Sequence, residues 1–246
     1  MTRSAWMMLV MLATAVAASA QTSVPARGFL VLNGGYQVTT NDFDDGATFR
    51  ANAEDAKFTT DYEVKGGPAF DVAGGARLWR QLGVGVGVTR FSRSTPTVLS
   101  GSVPHPFFFS RPRSVGGEVA GLKREEIAVH VQARLIAPVG TRLQVMAFGG
   151  PSFFQVRQGL VTGFTWADSY PYDDAAFSAA QTTNDKGTKV GFNAGADVAF
   201  FFARQIGVGA TVQFARATVE LSGAGGNAIE IKAGGVQAGG GLRVRF

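Results

Sequence analysis

The sequence predicts an all-β chain: a transmembrane antiparallel up-and-down β-barrel, drawn with eight strands, long extracellular loops and short periplasmic turns. Three observations predict it. The last residues, Val236–Phe246, put Val236, Ala238, Gly240, Leu242, Val244 and Phe246 on one face and Gln237, Gly239, Gly241, Arg243 and Arg245 on the other. That is the period of two of an extended strand. The amino terminus reads as an export signal, with Arg3, an apolar stretch Ala5–Ala18 and then Ala18-Ser19-Ala20 before Gln21. Beyond it, apolar residues make up 46% of the chain yet never form a run of about 20, the length a spanning helix needs. A membrane chain without such a run must cross with strands.

The amino-terminal pattern divides the chain into a signal peptide, 1–20, and a barrel domain, 21–246. The absence of cysteine excludes both a lipid anchor on cysteine and disulfides. The net charge of +5 is carried by scattered Lys and Arg, which fits lumen and loop chemistry and contact with anionic headgroups. Nucleic acid is not an expected partner.

The alternating segments follow in order. Gly28–Thr40 sets Leu30, Leu32, Tyr36 and Val38 against Val31, Asn33, Gln37 and Thr39. Phe58–Trp79 is read as one long segment with Phe70, Val72, Gly74, Ala76 and Leu78 outward and Asp71, Gly75 and Arg77 inward. Arg80-Gln81 turns into Leu82–Phe91, where Val84, Val86 and Val88 alternate with Gly83, Gly85 and Gly87. Arg124–Ala137 sets Ile127, Val129, Val131, Ala133 and Leu135 against Glu126, Ala128, His130, Gln132 and Arg134. Pro138–Thr141 is a turn by composition. In Arg142–Arg157 the alternation weakens around Phe148–Phe154, and Pro151 predicts a bulge or distortion. Lys189–Phe202, Ile206–Glu220 and Ile229–Phe246 complete the set. Asn41–Lys57, Ser92–Lys123 and Gly159–Thr188 are left as long loops, with a shorter one at Leu221–Ala228. A hairpin hidden in a long loop would raise the strand count to ten.

This chain resembles the small bacterial outer-membrane β-barrel family that includes the OmpA transmembrane domain and OmpX-like proteins. The resemblance rests on the signal peptide, Gly34-Gly35-Tyr36, the Gly-Val alternation of Leu82–Val88, Gly149-Gly150-Pro151 and the terminal Gly241–Phe246. It implies residence in the outer membrane among lipid and lipopolysaccharide. It also implies that the last strand and Phe246 serve as an assembly signal read by the barrel assembly machinery. No peptidoglycan-binding domain of the OmpA type is expected after Phe246.

Inward positions place Asp71, Arg77, Glu126, His130, Arg134, Asp197, Arg243 and Arg245 in a lumen charge network, near balance between signs. An eight-stranded barrel is just wide enough to be filled by its own side chains, and buried charges there must pair. His130 with Glu126 and Arg134 also admits an acid–base site, as in barrels that process lipid. The reading adopted is structural, with no catalytic residue, cofactor or metal. Inward glycines at Gly83–Gly87 and Gly239–Gly241 would leave room for water, which favours a narrow channel as the alternative. Phe107, Phe108 and Phe109, between Pro106 and Arg111, are read as a plug over the mouth, an interfacial anchor in the outer leaflet, or a ligand contact. The acidic groups Asp42, Asp44, Asp45 and Asp168, Asp173, Asp174 match no calcium loop and are read as solvated turns. The expected role is structural or interactive at the surface, through the loops, with an unknown extracellular partner; a channel and a lipid-modifying enzyme are the alternatives.

Overall fold

The computed structural model describes residues 27–246; the proposed signal peptide lies outside the described residues. The chain forms ten strands in order: β1 (Gly28–Gln37), β2 (Asn41–Ala51), β3 (Glu54–Val64), β4 (Gly67–Trp79), β5 (Leu82–Pro104), β6 (Pro112–Val139), β7 (Leu143–Asp168), β8 (Ala175–Phe201), β9 (Ile206–Ser222) and β10 (Ala228–Arg245). All pairings are antiparallel. Eight of the strands close a ring in the order β5-β4-β1-β10-β9-β8-β7-β6, with β6 returning to β5. The first and last ring strands meet along Phe29↔Arg245 to Gln37↔Gln237. Closure removes every edge from this part of the sheet.

The predicted alternation holds throughout the ring. Leu82, Val84, Val86 and Val88 point out and are exposed, and so are Val129, Val131 and Leu135 on β6 and Ile206, Val208 and Val212 on β9. Asn33, Thr89, His130, Gln132, Asp197 and Arg243 point in and are buried.

The structure corrects the sequence reading in two places. Phe58–Trp79 is not one strand: β3 ends at Val64, and β4 begins at Gly67 with β1 and β5 as partners. The hairpin β2–β3 stands outside the ring and pairs through Lys57–Asp61 with Ser102–Val98 of β5. The long loops are largely strand. β5 and β6 continue as a paired ladder to Pro104↔Pro112, and β7 and β8 to Asp168↔Ala175. Prolines and serines in those stretches suggested loops, whereas the backbone there still finds ladder partners. The ring therefore has eight strands and the chain ten.

Above the ring, β2, β3, β5, β6, β7 and β8 wrap an apolar core. Ala56, Phe58, Tyr62, Leu99, Val103, Val115, Val119, Leu122, Leu160, Val161 and Phe164 form it. One extra residue in β6 lets that strand serve both levels. Between Thr95↔Leu122 and Thr97↔Val119 the register shifts, and Gly121 takes up the turn at φ 78°. Inward positions on β6 are even-numbered below this bulge and odd-numbered above it.

Pro151 disturbs β7 as predicted, although no residue is inserted. The β6–β7 ladder skips Val131 and Gln132 opposite Gly150 and Pro151, then resumes in unchanged register at His130↔Ser152. The Asn193 amide donates to the carbonyls of Gly150 (2.9 Å) and Pro151 (3.3 Å) beside the break.

Candidate functional site: a packed polar lumen and a braced outer tip

The lumen is built from single side chains contributed by each strand. Arg243 of β10 reaches Asp197 of β8 through Nε (3.0 Å) and Nη2. It also donates to Asn33 Oδ1 (2.7 Å) and Thr211 Oγ1 (2.9 Å). Thr211 in turn donates to Asp197 (2.5 Å) and Asn33 donates to Asp71 (3.0 Å). From Asp71 the chain of contacts passes through Thr89 (3.5 Å) to His130, whose Nε2 lies 2.8 Å from the Thr89 hydroxyl. His130 Nδ1 lies 2.7 Å from Ser152 Oγ, which accepts from Asn193 (2.8 Å). Arg134 donates to Gln132 (2.5 Å) and lies over the rings of Phe29 (4.6 Å) and Phe148 (5.2 Å).

Of the predicted network, Asp71, His130, Arg134, Asp197 and Arg243 are thus joined or neighbouring. Glu126 belongs to a separate pair higher up. It accepts from Arg124 Nε (2.6 Å) and from the backbone N–H of Gly234 (2.7 Å). Arg124 shares the inward parity of Glu126 but was missed because it opens the segment, where the alternation was read only from Glu126 onward. Arg77 and Arg245 lie at the turn end. There the Arg245 guanidinium stacks on Phe201 at 4.0 Å and donates to the Arg204 carbonyl (2.6 Å), and among the described residues neither arginine has a carboxylate within ion-pair distance. Ser152, beside the weak alternation at Pro151, was missed for the same lack of a period.

Three inward glycines stand against large neighbours. A Cβ on Gly85 would lie 3.0 Å from Arg134 Nε and 3.2 Å from Phe29. One on Gly195 would lie 2.6 Å from the Phe148 ring, and one on Gly209 2.9 Å from Arg243 Nε. Each glycine is a notch for a large neighbour. The voids that line the lumen measure about 10–20 Å³, room for roughly one water each. His130 and Ser152 are both fully buried. Among the described residues no group of three His, Cys, Asp or Glu could hold a metal ion.

At the opposite end three hairpin tips meet. Arg113 of β6, buried, donates to Asp168 (2.6 Å), to the carbonyls of Tyr172 (3.2 Å) and Asp174 (3.1 Å), and to Pro104 O (2.9 Å). His105 is buried and its Nδ1 accepts from the N–H groups of Phe107 (3.1 Å) and Phe108 (3.2 Å). Glu54, at the β2–β3 turn, accepts from the Ser110 N–H (2.9 Å). Phe107, Phe108 and Phe109 are 67%, 58% and 76% exposed at this tip, beyond the mouth of the ring, so the plug reading is overturned. From Phe91 to Pro104, at about 3.3 Å per residue, β5 runs roughly 40 Å along the strand, which at the usual tilt of barrel strands is about 30 Å along the barrel axis.

Within the upper core, Asp45 is buried and its carboxylate accepts from the N–H groups of Ala224 (2.7 Å) and Gly46 (2.8 Å). Burial raises its pKa against those two bonds, with Asp44 adding to the rise. The Tyr62 hydroxyl accepts from the Val161 N–H (2.8 Å), and burial pushes its pKa up to about 12.

No protein-family model matches this chain, and no curated protein matches it. Solved structures of similar shape include the outer membrane protein OprG from Pseudomonas aeruginosa, at 14% identity and a TM-score of 0.45, covering 90% of this chain and 97% of that one. Neisserial surface protein A is 12% identical with a TM-score of 0.38, over 89% and 97%. The outer membrane protease OmpT from Escherichia coli is 7% identical with a TM-score of 0.45, over 93% and 99%. The architecture itself rests on the strand pairing, which closes without reference to them.

Proposed function

We propose that this protein is an integral outer-membrane β-barrel, exported by its amino-terminal signal, with a closed lumen and a non-enzymatic role carried by its extramembrane end. The observation that carries this reading is the inversion of the ring wall. Its outward face is an exposed apolar band, and its inward face is a hydrogen-bonded set of charges. In water such a band would be a large unburied patch, whereas in lipid it is matched to its solvent. Trp79 and Phe202 at the turn end, with Tyr36 and Phe192 toward the far end, supply interfacial aromatics.

Above the band, Arg90, Lys123 and Arg157 surround Glu125 at 3.9, 2.7 and 3.9 Å. This cationic excess suits lipopolysaccharide phosphates. Phe246, whose N–H and C=O pair with Gly28, is the proposed contact for the assembly machinery. A surface-interaction role fits the large, rigid structure built above the ring, which a purely lipid-spanning barrel would not need.

The test is refolding into vesicles followed by planar-bilayer recording. The expected result is heat-modifiable gel mobility with no conductance steps. Regular steps would overturn the closed lumen, and failure to insert would overturn the membrane reading.

A further inference from the structure

The outer tip combines three features that ordinary loops lack together. Its large apolar side chains are exposed, its backbone is pinned, and each of its arginines is paired with a carboxylate. Besides the three phenylalanines, Tyr170 is 88% exposed and Tyr172 packs edge-on to Phe107 at 5.1 Å and to Tyr170 at 6.1 Å. The rings of two hairpins therefore form one aromatic cluster. Arg113, His105 and Glu54 hold it from beneath through the bonds given above, so the rings cannot retreat into the apolar core. The tip cations are answered locally: Arg111 by Asp173 (3.1 Å), Arg113 by Asp168 (2.6 Å) and Arg50 by Asp55 (3.2 Å).

We propose that this tip, Phe107–Phe109 with Tyr170 and Tyr172, inserts into the interfacial zone of a second lipid bilayer facing the one that holds the barrel. The proposal rests on the outer-membrane reading, since only an embedded barrel presents the tip to a facing surface. Three points select lipid over other occupants. Rings this exposed stand on a prominence, which suits entry into a soft interface and offers no groove to a peptide or small ligand. Phe and Tyr gain from the headgroup–acyl boundary, where an apolar body and a polar edge are both accommodated. The arginines of the tip are all paired and its carboxylates outnumber them, which denies an anionic polymer any electrostatic drive, so binding is set by apolar burial and is weakly dependent on salt. The height of the tip places its own leaflet out of reach.

The experiment embeds the full-length barrel in nanodiscs and adds protein-free phosphatidylcholine vesicles, with and without 150 mM salt, followed by flotation. Wild-type nanodiscs are expected to co-float with the vesicles at both ionic strengths. In the variant carrying Phe107→Ser, Phe108→Ser and Phe109→Ser, co-flotation should fall by about tenfold or more, since half-burying one such ring is already worth about that factor in partitioning. Heat-modifiable mobility, measured on both, reports insertion separately; its loss indicts the barrel reading and leaves the tip unjudged only until a variant that inserts is used. Phe109→Trp supplies that variant, because it keeps an aromatic ring at the most exposed of the three Phe positions. With brominated lipid confined to the acceptor vesicles, its fluorescence should be quenched, while Trp79 in the nanodisc and Trp166 in the upper core stay unquenched. Absence of quenching, equal co-flotation of the triple variant, or co-flotation only with anionic vesicles at low salt would each overturn the proposal.

Discussion

The lower and upper halves of this molecule share β5, β6, β7 and β8 but invert their chemistry along the same strands. Within the ring, β6 turns His130, Gln132 and Arg134 inward and Val129, Val131 and Leu135 outward. Above Gly121 the same strand turns Val115 and Val119 inward and the polar Ser114 and Glu118 outward. The solvent outside decides. Lipid accepts an apolar exterior and offers no hydrogen bonds, so the ring closes its backbone bonds and stores polar groups inside, most of them hydrogen-bonded to one another. Water outside makes the apolar interior the source of stability, as in a soluble domain. One strand can serve both because the bulge at Gly121 resets its phase, and because its inward side chains change from hydrogen-bonding to packing.

The largest expected effect would break the ring half. Asp197→Asn leaves Arg243 buried with its main anionic partner gone, at a cost of about 3–5 kcal/mol. Denaturant titration of barrels refolded in vesicles should show this loss; unchanged stability would mean that water compensates the arginine.

Leu99→Ala in the upper half opens a cavity in a fully buried site and costs about 2–5 kcal/mol. Its signature is regional: limited proteolysis should cut the β2–β3 hairpin and the β5–β6 extension sooner, while heat-modifiable mobility of the ring is retained. If the ring is lost as well, the two halves form one cooperative unit.

Val131→Arg, outward and near the centre of its apolar run, should cost about 2–4 kcal/mol in lipid. Val98→Arg, outward and exposed on the upper part of β5, should be close to neutral, since water lies beyond it. Equal costs at the two positions, measured in the same vesicles, would remove the boundary between the halves.

The smallest effect is a pH dependence confined to the upper half. The pKa of Asp45 is raised in the folded state, so its contribution is fully present below the ordinary carboxylate range. That contribution is lost as pH rises through the raised folded value. The difference in melting temperature between wild type and Asp45→Asn should therefore change across that window and be flat above it. A difference that grows in the opposite direction would mean that the bonds from Ala224 and Gly46 outweigh burial.

The ring was legible in the sequence because lipid enforces a strict rule: Val84, Val86 and Val88 alternate with glycine without interruption. The upper half was not, since a soluble sheet tolerates mixed positions. Thr97, Leu99 and Val103 do point inward, yet the neighbouring Ser94, Pro96, Ser100 and Ser102 hide the period. The charged residues of the lumen were found by parity, but their partners were not. Arg243 with Asp197 and Arg124 with Glu126 are set by register between strands, which one strand's pattern does not contain. The glycines misled for a related reason. Gly85 looked like free space, but space is defined by what the opposite wall sends into it, here Arg134.

The seam between β1 and β10 sets the order of events in folding. Gly34 faces Gly240 and Gly35 faces Gly239 across it, and Gly28 and Phe246 exchange backbone hydrogen bonds at its end (2.7 and 3.0 Å). These partners sit near opposite ends of the described residues, the longest sequence separation among the ring's strand pairings. Contacts of that separation carry the greatest loop-closure cost and form late. The wall cannot shut before β10 is available to meet β1, so a late zippering of this seam is built into the topology.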